Sequence, residues 1–214
     1  MNNIELAIST DFMGEQPELE QLQSILRKIA DAGFTHIHWC HEWEGDYIYS
    51  SFEMQQIREW MDECGLQGKA LHASKGSRKN VNIRREHYRR DYTSDWEYNR
   101  KAGVELIKNR IDMAVCLGVH EIVLHLYPPH FTILEKPETK ENFYDCVYKS
   151  FDELMPYCLK KMSESVWKIY LTCPVNTCWK YGTVCLKNIL RNFSVSALTQ
   201  DTPTSSGEKR RPIS

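Results

Sequence analysis

The chain has 214 residues, of which 42% are hydrophobic and 26% charged, a composition typical of one globular domain with a buried core. Its formal net charge of −2 excludes a global field that attracts nucleic acid or an anionic membrane, so a basic binding site would have to be local. Residues 1–11 show no cationic leader and no long apolar run, which favours a cytoplasmic protein with no membrane partner.

The first third of the chain alternates between strand and helix patterns. A short apolar run predicts a strand at 4–10, and apolar residues at helical spacing predict a helix at 18–32 that Gly33 ends. A β-branched and aromatic run predicts a second strand at 35–40. These three elements have the order of a βαβ unit.

Two further units follow along the chain. Residues 51–63 are predicted to form a helix with Gly65 as its cap, and residues 66–73 a third strand. Ser94, with Glu97 three residues later, predicts a capping box at the start of a long helix.

The long helix carries an apolar stripe and ends at Gly118. The stripe consists of Val104, Ile107, Ile111, Val115 and Leu117. Residues 121–126 are then predicted to form a fourth strand and residues 143–162 a fourth helix. Such alternation predicts a parallel α/β fold, and the periodicity alone fits either a barrel or a doubly wound sheet.

Histidines and one carboxylate gather where the predicted strands end. The second strand ends in H-W-C-H-E-W (38–43), the third in L-H-A-S (71–74) and the fourth in V-L-H-L (123–126). In parallel α/β folds the chemistry lies at the carboxyl ends of the strands. A neutral imidazole there suits Zn, Mn, Fe or Co, or a hydrogen bond to a sugar hydroxyl. Any single histidine of the set could equally be a satisfied core or rim residue.

Several segments together resemble one known family, over roughly the first 160 residues. They are I-S-T-D-F, A-D-A-G-F, H-W-C-H-E-W, L-H-A-S, E-Y-N-R-K-A-G-V-E-L-I-K-N-R-I and V-L-H-L. They resemble the xylose isomerase-like sugar phosphate isomerase/epimerase family. The resemblance implies a TIM (β/α)8 barrel, of which residues 1–162 would be the first four to five βα units. It also implies a divalent metal (Mn, Zn, Mg or Co) that assists proton transfer on a small sugar or sugar phosphate.

The resemblance also suggests site residues. It implies that His72 and His125 bind the metal or the substrate, and we expect His41 and Glu42 as outer polar contacts and Trp43 as an apolar wall against a sugar face. Glu42 could equally be a surface charge. The family's later motifs, a Glu, a D-x-G-H and a final Glu, do not appear after residue 162. The catalytic carboxylates therefore remain unassigned.

Residues 163–214 differ in character from the rest. Their periodicity fades and they end in a Ser/Thr/Pro stretch followed by basic residues, which predicts a disordered tail. The codons of this segment can be translated in a shifted frame, in which the third base of each codon is joined to the first two bases of the next. In that frame the codons of Trp167 and Lys168 require a Glu, and those of 168–171 permit the rest of E-N-L-P. In the same shift, 198–204 permit D-T-G-H-A-N. We infer a frameshift near residue 162, which makes Cys173 and Cys178 accidental and leaves an incomplete barrel.

Two other functions stay open. An abasic-site endonuclease of the endonuclease IV type shares the barrel and its histidines, and a basic cluster after the third strand could hold phosphates. The cluster comprises Lys75, Arg78, Lys79, Arg84, Arg85, Arg89 and Arg90. The near-neutral net charge favours a solvated surface over nucleic acid. The other alternative is a non-catalytic fragment, whose unpaired strand edges would favour self-association.

Overall fold

The computed structural model describes residues 5–12, 19–74, 76, 89–125, 137–161, 168–172 and 197–198. Within these ranges strands and helices alternate. The strands are β1 (Ala7–Ser9), β2 (His36–Trp39), β3 (Gln67–His72), β4 (Glu121–His125), β5 (Lys168–Thr172) and β6 (Ala197–Leu198). The helices are α1 (Leu19–Asp31), α2 (Ser51–Glu63), α3 (Glu97–Leu117) and α4 (Pro137–Lys161).

The order of the strands decides between the two predicted architectures. All neighbours are parallel, and the sheet runs β1-β2-β3-β4-β5-β6 without a reversal. A doubly wound sheet reverses its strand order at a switch point, whereas a (β/α) barrel adds each strand beside the preceding one. The described part of the chain therefore has the arrangement of consecutive barrel units, as predicted. No helix in it is long and apolar enough to cross a bilayer.

Helix boundaries follow local sequence signals in most places. Gly33 and Gly118 adopt φ values of +87° and +68°, which favour glycine and end α1 and α3. Helix α2 spans the predicted residues and begins with a capping box, in which Ser50 Oγ accepts from Glu53 N at 3.2 Å.

The capping box predicted at Ser94 and Glu97 is wrong. Helix α3 begins only at Glu97, and Ser94 Oγ accepts from the backbone N of Trp96 instead. The Glu97 carboxylate binds the guanidinium of Arg100 with contacts of 2.7 and 2.8 Å. Two charge-assisted hydrogen bonds to Arg100 outcompete a single contact with the helix terminus.

In the described part of the chain, a hydrophobic core lies between the sheet and the helices. Ile37 and Trp39 of β2 and Leu71 of β3 are almost fully buried against it. Along α3, the predicted stripe is buried except for Val115, which is 40% exposed. The described cysteines are free thiols; Cys40, Cys146 and Cys158 are buried, while the other two are half-buried.

A buried arginine joins α3 to α4. Arg100 is 2% exposed; besides Glu97 it contacts Ser150 Oγ at 2.9 Å and the carboxylate of Glu153. Ser150 in turn donates to the carbonyl of Tyr92 at 2.5 Å. This cluster fixes α4 against the segment that precedes α3.

Two short strands come from the part that the sequence analysis assigned to a tail. β5 pairs with β4 from Glu121↔Lys168 to His125↔Thr172, and β6 pairs with β5. The proposed frameshift position, near residues 162 and 163, lies outside the described residues, as do Cys173, Cys178 and Cys185. The boundary at residue 162 stays a prediction.

Candidate functional site

Three histidines from adjacent strands form a row of parallel rings, which we call the imidazole row. The rings of His38 and His72 stack with centroids 4.6 Å apart and an interplanar angle of 2°. His72 and His125 stack in the same way, at 4.9 Å and 4°. The row thus crosses β2, β3 and β4 at their carboxyl ends, where the sequence analysis expected chemistry.

An irregularity in β2 brings these side chains to one face. His36 and Ile37 pair with Gln67 and Gly68, but His38 pairs with Ala70, so the register shifts by one residue of β3. Because side chains alternate along a strand, such a shift changes which residues share a face. It places His38 on the same face as His72, while Ile37 and Trp39 point into the core.

Trp43 covers part of the row. Its ring lies 5.1 Å from that of His72 and 5.0 Å from that of His125, tilted by 37° to both. Trp43 lies in the turn after β2, where its backbone N–H donates to the backbone carbonyl of Cys40 at 3.3 Å. Among the predicted site residues, the structure therefore brings together His72, His125 and Trp43.

The two remaining predicted contacts lie in different surroundings. His41 is 5% exposed and packs among Trp39 and Tyr49, sharing a 2.5 Å hydrogen bond with the Tyr49 hydroxyl. Glu42 adopts φ +57° in the turn, and its side chain lies against Gly45. Their positions are those of residues that shape the turn bearing Trp43, and a direct role with substrate stays a prediction.

Arg110 of α3 holds this turn in place. It is fully buried, and its guanidinium donates to the carbonyl of Tyr47 at 3.0 Å and to that of Glu42 at 3.4 Å. It also lies over the ring of Tyr49, 4.7 Å from the centroid. Burial lowers the pKa of Arg110, and the backbone carbonyls stabilise its charge.

Two rings of the row, those of His38 and His72, are uncharged at neutral pH. Burial, together with the neighbouring His38 and His125, lowers the pKa of His72 to about 3. Burial also lowers the pKa of His38, against the opposing effects of Asp11 and Glu121. Both rings therefore offer a lone pair at pH 7.

A thiol adjoins the row. Cys40 is 3% exposed, and its Sγ lies 3.1 Å from His72 Nδ1 and 3.0 Å from Ser9 Oγ. Burial raises the pKa of Cys40 to about 12. Ligand atoms of His38, Cys40 and His72 all lie within 4.8 Å of one another. His38 and Cys40 were not among the site residues predicted from the sequence. Their spacing of two along a strand indicates a shared face, but not that this face also carries His72.

The basic cluster is described only in part. Arg89 forms an ion pair of 3.1 Å with Asp46, and Arg90 donates to the backbone carbonyl of the same residue at 3.2 Å. Lys75, Arg78, Lys79, Arg84 and Arg85 lie outside the described residues. The two described arginines thus stabilise the loop after β2, and the phosphate hypothesis draws no support from them.

A surface groove of about 620 Å³ lies along α3 and α4, lined among others by Arg90, Tyr98 and Tyr157. None of the predicted site residues lines it. The strand ends, rather than the groove, therefore define the candidate site.

Comparison with known sequences gives one informative relative. No family model matches the chain. An uncharacterised protein, y4fM of Sinorhizobium fredii, is 30% identical over 149 residues, which are 66% of this chain and 48% of that protein. The chain therefore spans about half the length of the curated relative it matches.

Solved structures share the fold at low identity. A D-psicose 3-epimerase matches 91% of this chain with a TM-score of 0.60 at 16% identity, over 62% of its own length. The 3-keto-D-glucoside 4-epimerase YcjR of Escherichia coli gives 0.61 at 14%, with 91% and 68% covered. A candidate xylose isomerase of Rhodospirillum rubrum gives 0.62 at 13%, with 92% and 65% covered. The chain thus has the fold of the xylose isomerase-like TIM barrels, as the sequence motifs implied.

Proposed function

We propose that this chain is the first half of a sugar or sugar phosphate isomerase/epimerase, and that the imidazole row forms part of its sugar site. The main support is the position of the row at the carboxyl ends of adjacent strands, beneath Trp43. Barrels of this kind bind their substrates at that end. Among the similar structures are epimerases crystallised with D-fructose and with D-tagatose.

The chemistry of the row suits a polyol. A neutral imidazole accepts a hydrogen bond from one hydroxyl and donates to another, and the lowered pKa of His72 keeps this ring neutral. The indole of Trp43 offers an apolar face to the sugar ring. His41 and Glu42 then act by holding the turn on which Trp43 stands.

The parent family implies a divalent metal beside the sugar. His72 and His125 fit such a group as imidazole ligands, which suit Zn and Co better than Mg or Mn. When bound, the metal would polarise a carbonyl or hydroxyl oxygen of the sugar. Proton transfer on the neighbouring carbon needs paired carboxylates, and the motifs that carry them are absent from the sequence after residue 162. We therefore propose that the chain binds sugar but has impaired turnover.

The test is a titration of intrinsic fluorescence with D-fructose, D-tagatose and their phosphates. We expect saturable binding that weakens in Trp43→Ala and in His125→Gln. Trp96→Ala is the matched control. Trp96 is 51% exposed and lies at the start of α3, not on the strands that carry the row. Equal binding by Trp43→Ala and the unaltered chain would overturn the sugar site.

The separation of residues 1–162 from 163–214 is a proposal of its own, tested on the gene. Resequencing across codons 161–167 should reveal a second frame that continues through E-N-L-P and D-T-G-H-A-N to a final Glu. A protein made from the joined frame should then interconvert sugars that the present chain only binds. A single clean frame, with no sugar bound and concentration-dependent association in sedimentation, would instead support a non-catalytic, self-associating fragment.

A further inference from the structure

We propose that His38, Cys40 and His72 form a binding site for a thiophilic divalent cation, Zn²⁺ or Co²⁺. We call this group the thiol–imidazole site. It differs from the predicted pair of His72 and His125 because it contains a sulfur ligand and lies toward β1. The site shares His72 with the proposed sugar site, but a cation can bind whether or not a sugar does.

The distances are close to those of a bound ion. The three ligand atoms lie within 4.8 Å of one another, and Cys40 Sγ is already 3.1 Å from His72 Nδ1. Zinc bonds of about 2.0–2.3 Å to nitrogen and sulfur place tetrahedral ligands roughly 3.3–3.8 Å apart. The ring planes of His38 and His72 are parallel, so the two rings must turn about χ2, a broad torsion in histidine, to direct their nitrogens to one ion.

One ring nitrogen of the site needs a partner. His38 Nε2 is buried and, among the residues that the structure describes, has no hydrogen-bond partner. Burying a polar atom without a partner costs free energy, and such atoms are rare in folded proteins. A cation bound between His38 and Cys40 would satisfy it.

Residues at and just after the end of β1 support the site through hydrogen bonds to β2 and Cys40, as outer contacts often support metal ligands. The backbone N of Cys40 donates to Thr10 Oγ1 at 2.9 Å, and the N of Thr10 donates to the carbonyl of His38 at 3.0 Å. Ser9 Oγ lies 3.0 Å from the sulfur and donates to the carboxylate of Asp11. Such outer contacts orient ligands, and the Asp11 charge offsets part of the positive charge of a bound cation.

The donor set selects the type of cation. Sulfur and imidazole favour zinc and cobalt, whereas magnesium, calcium and manganese prefer oxygen. Nucleophilic chemistry is a poorer use of this thiol, because burial keeps the metal-free form protonated. A coordinating cation is the partner that would hold it as a thiolate.

The experiment is a titration of the chelator-treated chain with Co²⁺, followed by absorbance. Cys173, Cys178 and Cys185 are first replaced by Ser, so that thiols outside the described residues cannot contribute. We expect one equivalent of Co²⁺ to give a thiolate charge-transfer band and the intense visible bands of tetrahedral cobalt. Zn²⁺ should displace the Co²⁺, and a large excess of Mg²⁺ should not.

Variants assign the ligands. Cys40→Ser should abolish the charge-transfer band, and His38→Gln should weaken binding at least about 10- to 100-fold. Cys158→Ser, another buried thiol at 2% exposure, and His120→Gln are the controls and should bind normally. Circular dichroism of each metal-free variant establishes that it is folded, and His38→Gln keeps the test valid if Cys40→Ser does not fold. Absence of the band from the triple-Ser chain, or its persistence in Cys40→Ser, would overturn the proposal.

His125→Gln separates this site from the sugar site. The proposed ligand set predicts unchanged cobalt absorbance in this variant, together with weakened sugar binding. Loss of the cobalt bands in His125→Gln would instead assign the metal to the predicted His72 and His125 pair. Failure of sugar binding with intact cobalt binding would remove the sugar function alone.

Discussion

The rings of His38 and His72 lie face to face, within 2° of parallel and 4.6 Å apart. A doubly charged stack would be repelled and poorly solvated, so the pair is stable only when at least one ring is neutral. The burial that lowers both pKa values therefore makes the row sensitive to acid.

We predict that the metal-free chain loses stability as the pH falls from about 6.5 toward 3. A histidine with a lowered folded-state pKa binds its proton only on unfolding, so the unfolded state gains protons in that range. Each such ring contributes a slope of up to about 1.4 kcal/mol per pH unit. Urea denaturation in the presence of a chelator at several pH values measures it. His72→Gln should have a smaller slope, and a slope identical to that of the unaltered chain would contradict the assignment.

Gly103 of α3 lies against the segment that precedes this helix. A Cβ added to Gly103 would lie 2.2 Å from the backbone N of Tyr92 and 2.5 Å from the backbone C of Asp91. Helix propensity alone would make Gly103→Ala stabilising by about 1 kcal/mol. Because the backbone must move to accept the methyl group, we expect a net loss of roughly 1–2 kcal/mol instead. Thermal or urea unfolding measures the sign, and a gain in stability would show that α3 can shift.

Replacing Arg100 with Ala should weaken the contact between α3 and α4 and so lower the stability of the chain. The side chain is 2% exposed and bonds Glu97, Ser150 and Glu153, so its loss removes packing as well as hydrogen bonds. We expect about 2 kcal/mol of destabilisation. Lys101→Ala is the neighbouring control, since Lys101 is 63% exposed and 3.8 Å from Glu97; its effect should stay within about 0.5 kcal/mol. Urea unfolding measures both free energies of unfolding. Equal values for the two variants would mean that the cluster around Arg100 contributes little to stability.

The turn that carries Trp43 should depend on Arg110. Arg110→Met keeps most of the side-chain volume but removes the donors to the carbonyls of Tyr47 and Glu42. Leaving such acceptors unsatisfied costs about 1–3 kcal/mol. We expect lower stability and a shift in the Trp43 emission, read as the difference between the spectra with and without Trp43→Phe. An unchanged Trp43 spectrum would mean that the turn is held by its other contacts.

Sequence patterns predict the elements of this chain better than its site. The period of the apolar residues and the glycine stops locate α1 and α2 within a residue, because both signals act locally. The capping box at Ser94 fails because Arg100, one turn further on, takes the Glu97 carboxylate. Arg100 is also held by Ser150 and Glu153 of α4, contacts between distant parts of the sequence that local patterns do not reveal.

Within the site, His72, His125 and Trp43 could be predicted from strand ends and family motifs, and the structure brings them together. His38 and Cys40 could not be joined to them reliably, because their face is set by the register shift at His38. The pairing of β2 with β3 sets this shift. His41 was predicted as a site residue because it follows the end of β2. The sequence gave no sign that its ring is buried against Tyr49.

The uninterrupted strand order also has a consequence for how the chain is made. Each of β2, β3 and β4 pairs with the strand synthesised just before it, so none of the three waits for a distant partner. The pairings that align the imidazole row therefore involve only strands up to residue 125, and none of them needs a segment made later. A change downstream of α4, in the gene or in the protein, therefore leaves unaltered every residue of the imidazole row and every strand that pairs to align it.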